Sequence, residues 1–355
     1  MIINKLLSLL IYCILAIMIF LNIAVKGNTR DSNMNLFNYT NKISKERMLI
    51  VISAPSLNDK YYRKSFKDII NFDINFAKAV MGRDNIIVLV DNDTIKYFKK
   101  ELPDDILLEA NISDIWIRDF STVIPSKMVQ FVYDRPKEKY IQNSFKNFSL
   151  MNKLRFKQAD LKVDGGNIVD NNRESIIVTE KILRRNPGFT KESIIVKLKK
   201  ILGVSNVAII PMDEEYLGHA DGMVMFINDN TVVINDYSAD KKLKLELIKS
   251  LKDGLKNINI FEVSGDGCED SSYGPYGSAY GLYVNSLITY NYIYMPIFNN
   301  NIDCSALQTV QMKSNKKIIP IDAENVSKLG GSVRCLSWQL TGENADKLIK
   351  AARKD

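Results

Sequence analysis

Short β-branched runs alternate with longer amphipathic stretches along most of this chain. MLIVIS (48–53), NIIVLV (85–90), MVQFVY (128–133), ESIIVTE (174–180), VAIIPM (207–212) and INIFEV (258–263) predict strands. Between them, YRKSFKDIINFDINFAKAVM, DTIKYFKKEL, KESIIVKLKKILG, KLKLELIKSLKDGL and NADKLIKAARK carry the three-to-four-residue apolar spacing of amphipathic helices. Strands separated by helices predict an α/β fold, and no Pro/Gly/Ser-rich linker divides the body.

A second pattern overlies the first. A polar cluster repeatedly leads into a strand, a tight turn and a second strand. WIRDF precedes STVIP, VDGGNIV precedes the DNNRE turn and SIIVTE, and GHADGMVMFI precedes NDN and TVVIND. YVNSLIT precedes YN and YIYMPIF, and GGSVRCLSW stands near the C-terminus. These make five units, each with polar side chains at the start of a hairpin. Repeats of one supersecondary unit suggest stacking around an axis, where such clusters would meet. Periodicity alone also allows an ordinary α/β sheet.

The N-terminus breaks the pattern. Residues 6–25, LLSLLIYCILAIMIFLNIAV, form an apolar stretch long enough to cross a bilayer. We read residues 1–30 as a signal peptide or signal-anchor segment, 31–45 as a polar tether and 46–355 as the catalytic domain. The expected location is membrane-anchored or exported, with membrane association through residues 6–25. Lys5 precedes the stretch while Lys26 and Arg30 follow it, so flanking charge does not set an orientation.

Composition narrows the chemistry. The 48 basic and 41 acidic residues are interspersed, and no basic run with interleaved aromatics argues for nucleic acid. Beyond Cys13 there are Cys268, Cys304 and Cys335, with no CxxC or Cys/His spacing, and one histidine in the whole chain. Zinc is therefore not expected.

The single histidine, His219, lies two residues from Asp221, so an extended backbone would turn both to one face. Taken one at a time, the clusters have ordinary explanations. Trp116, Arg118 and Asp119 can be a strand edge with a surface ion pair, and Asp164–Asn167 a glycine turn. Asn285 interrupts an apolar strand, and a buried Cys335 is by itself usually inert.

Their order is more specific. WIRDF, DGGN, GHADG, YVN and GGSVRC in succession resemble the agmatine deiminase and bacterial-type peptidylarginine deiminase family of the guanidino-group-modifying superfamily, from about Ile50 to Gln339. The resemblance implies a pentein fold, a five-bladed pseudo-symmetric α/β propeller of ββαβ modules, here preceded by the apolar segment. It implies Cys335 as nucleophile, His219 as acid–base group, Asp119 and Asp221 as guanidinium-binding acids, and Asn285 as the fifth catalytic position. Trp116, Asp164, Asn167, Arg135, Gly330 and Gly331 are the expected substrate-binding residues. No cofactor or metal is required.

These residue types suit the implied reaction. Two carboxylates can grip the N–H edges of a planar cation. A thiolate can attack its central carbon, and an imidazole can protonate the departing ammonia. The implied substrate is agmatine, or arginine or peptidyl-arginine. Two departures stand out: WIRDFSTVIP lacks the WMRDTGP pattern common among agmatine deiminases, and Arg334 replaces the usual family histidine before the cysteine. FVYDRP (131–136) resembles the peptidylarginine deiminases, where an arginine contacts a substrate carboxylate, which brings Arg135 forward. An inactive membrane-tethered binding protein and an amidinotransferase are the alternative readings.

Overall fold

The computed structural model describes residues 39–133, 139–213, 217–265 and 277–355. Within them the strands form five small sheets, and none closes on itself. Four sheets repeat one plan in chain order. Their strands are Thr122–Val123, Val129–Val132 and Lys157–Lys162; Val169–Asp170, Ser175–Thr179 and Asn206–Ile210; Val224–Asn228, Thr231–Asn235 and Asn259–Val263; Leu287–Ile288, Tyr292–Ile297 and Lys317–Asp322. In each, the first two strands pair antiparallel and the second and third pair parallel.

A parallel pair needs a crossover, and helices supply it. These are Lys139–Met151, Lys191–Leu202, Lys241–Gly254 and Asp303–Lys313. The fifth sheet has the same plan but joins the two ends of the folded unit. Ser337–Leu340 pairs antiparallel with Leu49–Ser53, which pairs parallel with Asn85–Val90 across the helix Phe66–Val80. Leu107–Glu109 adds a fourth strand to it.

The central strands read as unbroken apolar runs because both of their faces are covered. Leu49–Ser53, Asn85–Val90 and Ser175–Thr179 are buried at every position. One core cluster packs Leu49, Val51, Ile87 and Trp338 against Phe120, Phe145, Phe148, Leu348 and Ile349. Further clusters centre on Ile176, Leu198 and Ile209, and on Val224, Ile234 and Leu251. Capping residues set the helix ends: Thr190 accepts the amide of Ser193 at 3.2 Å, and Gly203 closes the same helix with a left-handed backbone.

Three segments differ from the elements expected. DTIKYFKKEL forms only one helical turn, Ile95–Phe98, cut short ahead of Pro103. Neither the helix Lys139–Met151, whose Ile141, Phe145 and Phe148 share its buried face, nor Asp303–Lys313, which buries only Ala306 and Val310, was among the expected elements. Asn41, within the stretch 31–45 expected as a tether, is built into the folded unit Thr40–Asp355. Its side chain bonds both the carbonyl (2.8 Å) and the amide (2.9 Å) of Ile86. The apolar stretch 6–25, Arg135 and Cys268 lie outside the described residues. Among the described residues, no helix is long and apolar enough to cross a membrane.

Candidate active site

The five polar clusters occupy equivalent places: each immediately precedes a strand that begins an antiparallel pair. None is itself a strand. Ile117–Phe120 is a helical turn, Gly165–Asn167 and Ala220–Gly222 are tight 3-10 turns, and Asn285 and Cys335 sit in the turns before Leu287 and Ser337. The strand expected around His219 and Asp221 is thus absent, since His219 is extended but Asp221 lies in the turn that follows it, and the apolar strand around Asn285 is absent too. The turns bring their side chains together by a different route.

Hydrogen bonds link the five turns in a circuit. The amide of Gly166 donates to Asp119 Oδ1 at 3.0 Å, and His219 Nε2 donates to Asp164 Oδ2 at 3.0 Å. Asn285 Nδ2 donates to the Asp221 carbonyl at 3.1 Å and to Cys335 Sγ at 3.2 Å. The amide of Arg118 closes the circuit by donating to the Cys335 carbonyl at 3.3 Å. Cys335, His219, Asp221, Asn285, Gly330 and Gly331 line one cavity together with Asp213, Leu217, Met223, Ala279 and Leu282.

Asn285 organises the cysteine turn. Its Oδ1 accepts from the Ser332 amide (3.1 Å), the Ser332 hydroxyl (3.0 Å) and the Cys335 amide (3.4 Å), while its amide nitrogen reaches the sulfur. A buried amide that satisfies both ends fixes the turn's geometry. The Cys335 thiol lies 3.7 Å from Asp221 Oδ2. Burial, then Asp221, then Asp119 push it well above an ordinary thiol, and the bond from Asn285 partly opposes them. The resting sulfur is protonated, and a cation placed between the two aspartates removes the reason for that.

His219 is buried, and an ionised Asp164 can only accept, so its proton sits on Nε2. Nδ1 makes no hydrogen bond among the described residues and lies 3.6 Å from Asp119 Oδ1. The basic nitrogen therefore faces Asp119. Gly166 keeps that space open. A Cβ there would lie 2.8 Å from both Asp119 Oδ1 and His219 Nδ1, and 3.2 Å from Asp221 Oδ2. A Cβ on Gly331 would meet Trp116 at 2.7 Å and Cys335 Sγ at 3.0 Å, which places the indole beside the thiol.

Other residues hold this set rather than line it. Asn167 Oδ1 accepts from the Thr179 amide and hydroxyl and from the Ala220 amide, at 3.0, 2.9 and 3.1 Å. Its oxygen braces the His219 turn. Asp164 likewise faces His219 and Lys181. Sequence reasoning missed Lys181, whose Nζ lies 3.2 Å from Asp164 Oδ2 and donates to the Leu217 carbonyl at 2.9 Å. Arg118, which the sequence allowed as half of a surface ion pair, is instead buried, and its Nε donates to the Arg334 carbonyl at 3.4 Å. Burial and the neighbouring Arg334 bring the Arg118 guanidinium down to about 9. Arg334 Nη1 donates to Asp221 Oδ2 at 2.9 Å, and Nη2 to the Ile168 carbonyl at 2.7 Å. No cluster of three or more histidine, cysteine or carboxylate side chains suited to a metal occurs among the described residues.

The profile of the Porphyromonas-type peptidyl-arginine deiminase family matches residues 44–340. The chain belongs to this family. A protein of Mycoplasma mycoides subsp. mycoides, provisionally named an agmatine deiminase, is 25% identical over 312 residues, covering 75% of this chain and 85% of that protein. The structure of C. jejuni agmatine deiminase superposes with a TM-score of 0.71 at 18% identity, covering 88% of this chain and 99% of the other. Agmatine deiminase of Enterococcus faecalis gives 0.69 at 18% identity, over 86% and 96%. The α/β fold of this chain is theirs, and in this chain Cys335, His219 and Asp221 line one cavity, with Asp119 Oδ1 3.6 Å from His219 Nδ1.

Proposed function

We propose that this protein is a hydrolase that deiminates a guanidino compound, releasing ammonia and leaving a ureido product. One observation carries the reading: Cys335 Sγ lies 3.7 Å from Asp221 Oδ2, in a pocket shared with His219 and adjoining Asp119. Asp119 and Asp221 hold the guanidinium by its N–H edges and neutralise it. The cation in turn offsets the carboxylate field on the sulfur. The thiol proton passes to His219 Nδ1, and the thiolate attacks the central carbon. The imidazolium returns that proton to the departing nitrogen, and ammonia leaves behind a thiouronium. The same imidazole then deprotonates water, which attacks the carbon. Collapse of that adduct breaks the C–S bond, releases the ureido product and restores the thiol. Guanidinium and water become a urea group and ammonium.

Agmatine is the substrate favoured by the cavity. Leu217, Met223, Ala279 and Leu282 suit a methylene chain, and Asp213 on the same lining favours a terminal amine over a carboxylate. The purified protein is assayed with agmatine, free arginine and an arginine-containing peptide. Ammonia and a ureido product from agmatine support the reading, and neither from any of the three overturns it.

The five modules are best read as blades around an axis, with the site at their meeting point. The repeated sheet plan and the circuit of bonds between turns support that arrangement. Residues 6–25 are read as an anchor or export signal on their apolar length. Fractionation of cells that make the full chain tests this: recovery in the cytosolic fraction with an intact N-terminus contradicts it.

A further inference from the structure

Asp221 does not wait for substrate as an isolated anion. Its Oδ2, the oxygen that faces Cys335 Sγ, already accepts from Arg334 Nη1 at 2.9 Å. That guanidinium is buried, with a side-chain exposure of 7%, and its other nitrogen is fixed to the Ile168 carbonyl at 2.7 Å. It stands one residue before the nucleophile, and its own amide is held by the Asn285 carbonyl at 3.1 Å. Its position is therefore set by the same turn that sets the sulfur.

We propose that Arg334 is a positioning residue that acts through Asp221 as a resident guanidinium, weakening the capture of substrate while easing formation of the Cys335 thiolate. The inference rests on the deiminase reading. Two opposite consequences follow from one charge. A substrate cation approaching Asp221 meets a carboxylate whose charge is partly neutralised and one of whose acceptor sites is taken, so it binds less tightly. The same positive charge offsets the carboxylate field at a sulfur 3.7 Å from that oxygen, so the thiolate is less disfavoured. A residue that merely stabilised the fold would move both quantities in the damaging direction when removed.

The test uses the full chain with Arg334→Gln or Arg334→Lys, each also combined with Cys335→Ala. Agmatine affinity is measured by calorimetry on the Cys335→Ala forms. Alkylation of Cys335 by iodoacetamide is followed against pH, with the Cys335 peptide quantified by mass spectrometry. Arg334→Gln is expected to bind agmatine about tenfold more tightly while its Cys335 alkylation profile moves to higher pH. Arg334→Lys, which keeps the charge, is expected to retain the parent's alkylation profile. Unchanged or weaker agmatine binding, or an unmoved profile in Arg334→Gln, overturns the proposal. Should the Gln variant not fold, Arg334→His, uncharged at alkaline pH, is read in the same way. If the parent itself fails to bind agmatine, the substrate reading falls, and the alkylation profile alone still decides the role of Arg334.

Discussion

His219 Nε2 lies 3.0 Å from Asp164 Oδ2, and this contact assigns the imidazole its task. With the proton fixed on Nε2, the lone pair of Nδ1 is turned towards Asp119 and the open space above Gly166. Lys181 and the Asn167 brace keep that geometry. Asp164→Asn retains the shape but not the charge that stabilises the imidazolium. We expect kcat to fall by about a hundredfold or more with little change in KM. Steady-state kinetics with agmatine check this.

Gly166→Ala is expected to abolish turnover while sparing the fold. The added methyl occupies the space between Asp119, His219 and Asp221, the proposed guanidinium site. Activity should drop at least about a hundredfold, with a stability cost of about 1–3 kcal/mol. Gly188→Ala, where a Cβ meets nothing within 4 Å, serves as the neutral control. Kinetics and thermal melts on the two variants separate the outcomes.

Cys335 should be a slow thiol when the site is empty. Burial and the paired aspartates hold it well above its usual range, so its reaction with uncharged iodoacetamide should still be rising at pH 9.0. A haloacetamidine, which brings its own amidinium, should label Cys335 much faster at neutral pH because it supplies the missing cation. Equal rates for the two reagents would contradict the charge balance described for the site.

Asp114 supplies a pH dependence of stability away from the reaction. Its carboxylate accepts from Tyr62 Oη at 2.7 Å and from the Trp116 amide at 3.3 Å, so it fixes the start of the turn that carries the Trp116 indole. Burial raises it from 3.8 to about 6, with a smaller contribution from Asp59, while the bonds from Tyr62 and the backbone oppose the rise. The folded chain therefore keeps a proton that the unfolded chain releases. Its contribution to stability shrinks as pH climbs from about 4 to about 6, by at most about 1.4 kcal/mol per pH unit. Asp114→Asn should remove that slope, as read by denaturant melts of variant and parent across this range.

Much of this was legible in the sequence, for identifiable reasons. Strands such as Asn85–Val90 announce themselves because both faces are buried, leaving no polar position to blur the run. The order of the five polar clusters showed which residues meet. What periodicity missed follows from the same physics. Asp303–Lys313 buries too little to carry an apolar stripe. The His219–Asp221 pair looked like a strand because a 3-10 turn leaves no periodic mark in three residues. Lys181 carried no signal, since its role depends on a carboxylate seventeen positions earlier in a different turn. Asn167 was legible as a polar residue in a glycine turn, but only the structure shows its oxygen occupied by Thr179 and Ala220.

The central claim is that Cys335 forms a covalent bond to the guanidino carbon. The most direct test quenches the agmatine reaction in acid during turnover and measures the intact mass of the protein, alongside ammonia release, for the parent and Cys335→Ser. The parent is expected to carry an added amidino adduct that maps to the Cys335 peptide, and the serine variant neither adduct nor ammonia. Ammonia release by the serine variant at the parent's rate, or an adduct on another residue, would contradict it.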